Sequence, residues 1–248
     1  MAGPLKARLR AGEQLVGALV RMPAEDVVEM LGVVGFDFVL IDCEHGPADV
    51  VALRHHVTAA DLHGMAVLVR IGAAENALAL RALDQGAQGI VAPHVDTAPD
   101  ADALVRAVHY PPRGDRGFAT YPRAGRFGTV DPLEHQRRAA DSTLAVAMLE
   151  SPAAVREARA ILQTDGIDAY LVGAADLRAA SGDGDPTVPE SLDLVHAAGR
   201  DAAVARMDIV PDAAGAEAAL ADGAQLVVYN LTQCLVTLLR QLHDIRRP

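Results

Sequence analysis

The stretch Val39-Leu40-Ile41-Asp42-Cys43-Glu44-His45-Gly46-Pro47 changes character at its midpoint. An apolar run gives way to two acids and a histidine, then to a Gly-Pro break. A strand that ends in ionisable groups and then turns presents chemistry at the carboxyl edge of an α/β sheet. Three later apolar runs end the same way, at Arg70, at Glu150 and near Asp176. Glu150 and Asp176 are the candidate metal ligands, since two carboxylates with room for water and substrate suit hard ions such as Mg²⁺ or Mn²⁺, with Co²⁺ also compatible. His45 is the candidate base, because imidazole exchanges protons near neutrality. Arg70 suits an oxyanion, being a permanent cation with no proton to lose. The N–H groups of Gly173-Ala174-Ala175 suit a substrate carboxylate. Asp84 ends a helix, where an acid opposes the macrodipole, so it calls for a partner such as His45. His94 ends the fourth strand, a position from which a side chain can line the same mouth. Each residue alone has a plainer explanation. Arginines such as Arg70 could simply neutralise the two acids, His45 could cap a loop, and the glycine could make an ordinary turn. Their recurrence on successive strand ends favours one site.

The elements that would position these residues alternate regularly. Strands are expected at Gln14 to Val20, Phe36 to Ile41, Ala66 to Val69, Gly89 to Ala92, Leu144 to Leu149, Ala169 to Val172, Ala202 to Ala205 and Gln225 to Tyr229. Helices are expected from Pro23 to about Val34, from Pro47 and Ala48 to about Leu62, and over Glu75 to Gln85, Ala98 to His109, Pro152 to Leu162, Pro211 to Ala221 and Thr232 to Ile245, with a short one after Pro189 to about Ala198. Tyr110 to about Ser142 is too long for an ordinary connection and reads as a functional loop plus a short helix. Eight strands with helical crossovers in 248 residues predict one domain over 1–248, an α/β (β/α)₈ TIM barrel. The doubly wound alternative lacks a G-x-G-x-x-G turn, and no Walker motif occurs.

Composition narrows the partners. A net charge of -11 argues against nucleic acid. No apolar run approaches a membrane span, and no signal peptide follows the N-terminal basic residues. Cys43 and Cys234 form no disulfide framework and fit a reducing, cytoplasmic setting. A chain that is 51% hydrophobic but 3% aromatic packs with Ala, Val and Leu, and the leucines at 235, 238, 239 and 242 suit a docking helix. Lys6 is the only lysine and is expected in a frayed N-terminal segment. Schiff-base catalysis needs a lysine amine in the site, so carbonyl chemistry here needs a metal or a hydrogen-bonded oxyanion site. His55, His56, His63, His109, His135, His196 and His243 are expected at the surface.

Several of these segments together resemble one family. GFDFVLIDCEH at 35–45, Val69-Arg70, LDQGA at 83–87, YPPRGDRG at 110–117, Leu149-Glu150 and GIDAYLVGAADL at 166–177 resemble the HpcH/HpaI aldolase/citrate lyase family over nearly the whole chain. The likeness is greatest to its class II, metal-dependent pyruvate aldolases. It implies a (β/α)₈ barrel whose C-terminal helix swaps onto a neighbour, usually in a hexamer. It implies that Glu150 and Asp176 bind the metal, that Arg70 binds the pyruvyl oxygen and that His45, paired with Asp84, is the base. Gly173 and Ala175 match the backbone sites for the carboxylate. The implied reaction joins a pyruvate enolate to an aldehyde, or releases one. The chain also departs from the pattern. Met148 stands where a glutamine usually lines the site, Ala174 replaces a proline, and Val228-Tyr229-Asn230-Leu231 replaces a Gly-Val-Asp-Thr type segment. Asp176 to Gly199 looks short, and Arg206, read near the end of the seventh strand, is an unusual charge. A rebuilt second-substrate pocket that uses Met148 and Arg206 is therefore expected. The other readings are a siderophore-type citrate synthase, or another condensing enzyme using acyl-CoA, and a non-catalytic barrel with a binding or regulatory role.

Overall fold

The computed structural model describes residues 3–47 and 49–245. Eight strands close a parallel barrel in chain order: β1 (Leu15–Val20), β2 (Phe38–Asp42), β3 (Ala66–Arg70), β4 (Gly89–Ala92), β5 (Leu144–Leu149), β6 (Ala169–Val172), β7 (Ala205–Val210) and β8 (Leu226–Asn230). β8 pairs with β1 to complete the ring. Val, Leu, Ile and Ala runs suit such strands because both faces are covered. Leu15, Leu19, Phe38, Leu40, Leu68 and Leu171 are among the residues that fill the interior. Val39, Ile41, Val67 and Val69 pack outward against helices. Gly17 makes this possible on β1, since a Cβ there would lie 2.5 Å from the Phe38 ring.

The helices are α1 (Leu5–Arg10), α2 (Glu25–Val34), α3 (Val50–Leu62), α4 (Asn76–Gln85), α5 (Ala98–Val108), α6 (Pro132–Ser142), α7 (Pro152–Leu162), α8 (Ala174–Ala180), α9 (Val188–Ala202), α10 (Ala213–Ala221) and α11 (Leu231–Asp244), with a 3₁₀ segment at Arg123–Gly128. Sequence reading missed α1 and α8. It also began α3 too early: the helix starts at Val50 behind the Asp49 cap, and Ala48 lies outside the described residues. α9 is longer than expected, its start fixed by a Thr187–Glu190 capping box. β7 is displaced, and the reason is physical. Arg206 and Asp208 alternate with inward-facing Ala205 and Met207 and neutralise each other on the outer face at 2.5 Å. An apolar-run criterion cannot see a strand of that kind.

Lys6 is not frayed. Its residue is 1% exposed, on a helix that closes the N-terminal end of the barrel with Leu5 and Leu9. Its Nζ donates to the Thr143 carbonyl at 2.7 Å and to Asp168 Oδ2 at 2.8 Å. Thr143 and Asp168 immediately precede β5 and β6, so the amine lies at the end of the barrel away from His45 and Arg70. The exclusion of Schiff-base chemistry stands, for a different reason from the one first given. Burial lowers the Lys6 pKa, and Asp168 opposes that shift. His56, His109, His135 and His196 also proved buried rather than superficial. His56 Nε2 accepts the Ala24 N–H at 3.0 Å, and Tyr110 and Tyr170 hold His135 and His196. Among the described residues no helix is long and apolar enough to cross a membrane.

Removing one member of a buried ion pair strands the other charge, at a cost of about 3 kcal/mol. Lys6→Met is therefore expected to lower the Tm by about 6–12 °C. Lys6→Met/Asp168→Asn should recover most of that loss in thermal melts, and additive losses would refute the pairing.

Candidate active site

The mouth is organised by Asp42, the last residue of β2, which is 0% exposed. Its Oδ1 accepts the Arg70 Nε–H at 3.0 Å and the backbone N–H groups of Glu44 and His45 at 3.2 and 3.1 Å. Its Oδ2 accepts from Arg70 Nη2 at 2.5 Å and from Arg21 Nε at 2.8 Å. Burial alone would raise the Asp42 carboxyl, but the Arg70 bonds and charge hold it below its ordinary value. Arg21 also donates to Asn230 Oδ1 at 3.0 Å, tying the ends of β1, β2 and β8 together. Gly46 permits the tight turn, because a Cβ there would lie 2.2 Å from the Asp42 carbonyl oxygen.

Arg70 ends β3 and is 3% exposed. Burial opposes its charge, but Asp42 raises its pKa above the ordinary value. Two of its nitrogens are spent on Asp42. The third, Nη1, meets only the Met148 sulfur at 3.9 Å. A thioether is a weak acceptor, so the two N–H groups of Nη1 are free for a ligand.

Glu150 follows β5 and is buried. Burial pushes its pKa up; His94 opposes this, while Asp176 and Glu44 add to it. Its Oε1 accepts the His94 N–H at 2.8 Å and lies 3.2 Å from His94 Nδ1. Ser151 fixes the turn behind it by accepting the Ala154 N–H at 3.0 Å and donating to Asp96 at 2.5 Å. Gly173 packs against Glu150, and a Cβ there would lie 2.7 Å from Glu150 Oε2 and from Met148 Cε. Asp176 lies in the first turn of α8 and is exposed.

The residues present fit a hard divalent ion. Four carboxylates, of Asp42, Glu44, Glu150 and Asp176, stand against the guanidiniums of Arg21 and Arg70. Glu44 Oε2 is buried without a hydrogen bond, 3.3 Å from Arg70 Nε. Burying such an oxygen is costly, and the ion pair with Arg70 offsets that cost. Among the described residues no three His, Cys, Asp or Glu side chains are gathered tightly enough to hold a metal themselves. That suits an ion that keeps water and substrate oxygens in its shell. A cavity of about 620 Å³ opens here, lined by Arg21, Arg70, Met148, Gly173 and Asp176, and it extends outward to Arg206 and Asp222.

These features agree with the comparisons to known proteins. The family model for HpcH/HpaI aldolase/citrate lyase matches residues 19–235. The chain belongs to the HpcH/HpaI aldolase/citrate lyase family. A curated relative, the 2-keto-3-deoxy-L-rhamnonate aldolase of Salmonella gallinarum (strain 287/91 / NCTC 13346), is 33% identical over 96% of this chain and 90% of its own length. The crystal structure of an HpcH/HpaI aldolase/citrate lyase family protein from Burkholderia cenocepacia J2315 superposes with TM-score 0.89, at 32% identity over 98% of each chain. The citrate synthase SbnG superposes with TM-score 0.84, at 24% identity over 98% of each chain, a likeness of fold alone.

Within this HpcH/HpaI chain, Arg70, Met148, Glu150, Gly173, Ala174, Ala175 and Asp176 come together at one mouth, with His45 at its rim. Three expectations need correction. Asp84 does not meet His45 inside one chain. It lies in the last turn of α4, at the barrel end where β4 begins, and Arg116 Nη2 donates to it at 2.9 Å. His45 instead stands with its side chain 60% exposed, its Nε2 3.8 Å from Glu44 Oε2. Arg206 is the second residue of β7 and is bound by Asp208 and Asp222, so it braces β7 to the end of α10. A guanidinium shared between two acids has little net charge to offer an acidic substrate. The Gly173 N–H is already donated to the Leu149 carbonyl at 3.0 Å, which leaves the amides of Ala174 and Ala175. Sequence reading placed Asp42 beside the site without recognising it as the hub, and passed over Arg21. The signal for both was the same: an ionisable residue at a strand end.

Proposed function

We propose that this chain is a carbon–carbon lyase of the aldolase type, using a divalent ion, Mg²⁺ or Mn²⁺ with Co²⁺ also compatible, to interconvert a 4-hydroxy-2-oxo acid with pyruvate and an aldehyde. The observation that carries this reading is Arg70, buried, fixed by Asp42, and left with its Nη1 meeting no oxygen acceptor, close to Glu150. The ion, held by Glu150 and Asp176, supplies positive charge at the 2-oxo group when bound. Arg70 Nη1 donates to the 2-oxo oxygen as negative charge develops there. The Ala174 and Ala175 amides receive the carboxylate. In the cleavage direction His45 removes the proton of the 4-hydroxyl. The C3–C4 bond breaks, the aldehyde forms, and the bonding electrons pass into the enolate. A proton delivered to C3 then completes the pyruvate methyl group. The 2-keto-3-deoxy-L-rhamnonate aldolase relative supports a 2-oxo acid as donor. The condensing alternative rests on likeness of fold alone. Met148 in place of an amide makes the wall beside Arg70 apolar, which favours a second substrate without a polar group at that point.

The chain's own geometry also supports self-association. No residue of α11 is buried, and its Leu238, Leu239 and Leu242 are exposed, as are Met30, Val33 and Val34 of α2. A swapped α11 and a hexamer fit these surfaces. If Asp84 orients His45, it must do so on a second copy, since the two lie at opposite barrel ends within one chain.

Solvent deuterium should exchange into the pyruvate methyl group only with Mg²⁺ or Mn²⁺ added, and Glu150→Gln should lose the exchange. Exchange that persists in the variant, or none in wild type with any ion, would sink the reading. The pairing across copies has its own test. His45→Ala and Asp84→Ala proteins, each inactive, should regain activity when unfolded and refolded together, because about a quarter of randomly mixed sites then hold both residues. No recovery in mixed oligomers would place the two residues in separate roles.

A further inference from the structure

We infer that Arg21 selects the second substrate, by binding the carboxylate of an aldehyde acid at the mouth of the barrel. This rests on the aldolase reading above and names the class of aldehyde it takes. Leu15 and Leu19 of β1 turn into the barrel interior, and the two-residue period of a strand puts Arg21, the first residue after β1, on the same side. The register carries on across the neighbouring strands: Val20 pairs with Ile41, and Asp42 pairs with Arg70. Arg21, Asp42 and Arg70 therefore form one row at the carboxyl end. Both guanidiniums meet Asp42 Oδ2, Arg21 through Nε at 2.8 Å and Arg70 through Nη2 at 2.5 Å.

Two arginines thus share one carboxylate, and Arg70 has Glu44 besides, at 3.3 Å. Arg21 pairs with no second acid among the described residues. Arg206 is the contrast. Its Nε, Nη1 and Nη2 are all bonded, to two acids, and its side chain is 12% exposed. Arg21 uses Nε on Asp42 and Nη1 on Asn230. Its Nη2 donates to no acceptor among the described residues, and its side chain is 28% exposed on the cavity that Arg70, Met148 and Asp176 also line. Two bonds hold this guanidinium in place and leave one edge open to the cavity. An oriented cation of that kind recognises a carboxylate, which the acids of the mouth would otherwise repel. One open nitrogen suits a singly charged carboxylate better than a dianionic phosphate. Met148 supplies an apolar wall for the stem of the aldehyde. The part in acid recognition first expected of Arg206 falls to Arg21.

The competing account makes Arg21 a brace for Asp42 and nothing more. Aldol addition of pyruvate would be followed with glyoxylate, succinic semialdehyde and glutaric semialdehyde, each against its own methyl ester, and with glyceraldehyde 3-phosphate against glyceraldehyde. The proteins are wild type, Arg21→Met and Arg21→Lys, at saturating pyruvate and Mn²⁺, with thermal melts to establish folding. Wild type is expected to prefer at least one acid to its ester. Arg21→Met should lower that acid-to-ester ratio of kcat/KM at least about 10-fold, chiefly through the KM of the acid. Arg21→Lys, which keeps the charge, should fall between the two. The ratio cancels any damage to Asp42 and Arg70, on which acid and ester depend alike. Equal losses on acid and ester, no wild-type preference for any acid, or a preference confined to the phosphate would overturn the inference. Deuterium exchange into pyruvate needs no aldehyde, so it separates this failure from that of the aldolase reading. Exchange that continues beside an unchanged ratio removes only the role of Arg21. Wild type without exchange removes the aldolase itself, and this inference with it.

Discussion

The buried ion pair between Asp42 and Arg70 is the constraint on which the mouth of the barrel depends. Two charges withdrawn from water are costly unless every remaining hydrogen-bonding position is used. Here Asp42 meets that condition through Arg70, Arg21 and the turn amides of Glu44 and His45. The pair therefore does more than neutralise a charge. It sets the plane of the Arg70 guanidinium, shapes the turn that presents His45, and leaves one guanidinium nitrogen without a strong partner.

A second buried pair, Lys6 with Asp168, closes the other end of the same barrel. The two ends do different work. The N-terminal end holds a plug that shields the interior and tethers α1. The C-terminal end keeps an excess of carboxylates, a buried Glu44 oxygen that accepts no hydrogen bond, and an open cavity. That division is the usual one in (β/α)₈ barrels, where the chemistry gathers at the carboxyl ends of the strands.

The alternation of strands and helices was legible because parallel strands covered on both faces leave uninterrupted apolar runs. The run fails as a signal where charge neutralises charge on an outer face, as in β7. Glu150, Asp176 and Arg70 were legible as polar residues at strand ends. The partner of Asp84 was not, because helix position gives its depth along the barrel only once the fold is known. Nor was Lys6, since burial of a lone lysine depends on Asp168, which lies far from it in the chain. His94 was visible as a strand-end residue, but its approach to Glu150 is a tertiary fact.

The most direct test of the account is a double-mutant cycle on pyruvate affinity, measured by calorimetry at saturating Mn²⁺ for wild type, Asp42→Asn, Arg70→Lys and the double variant. If Asp42 acts by positioning Arg70, the second substitution should add little to the first, with a coupling energy of at least about 1.5 kcal/mol. Losses that add to within about 0.5 kcal/mol would contradict it, and would mean that the two residues serve pyruvate independently.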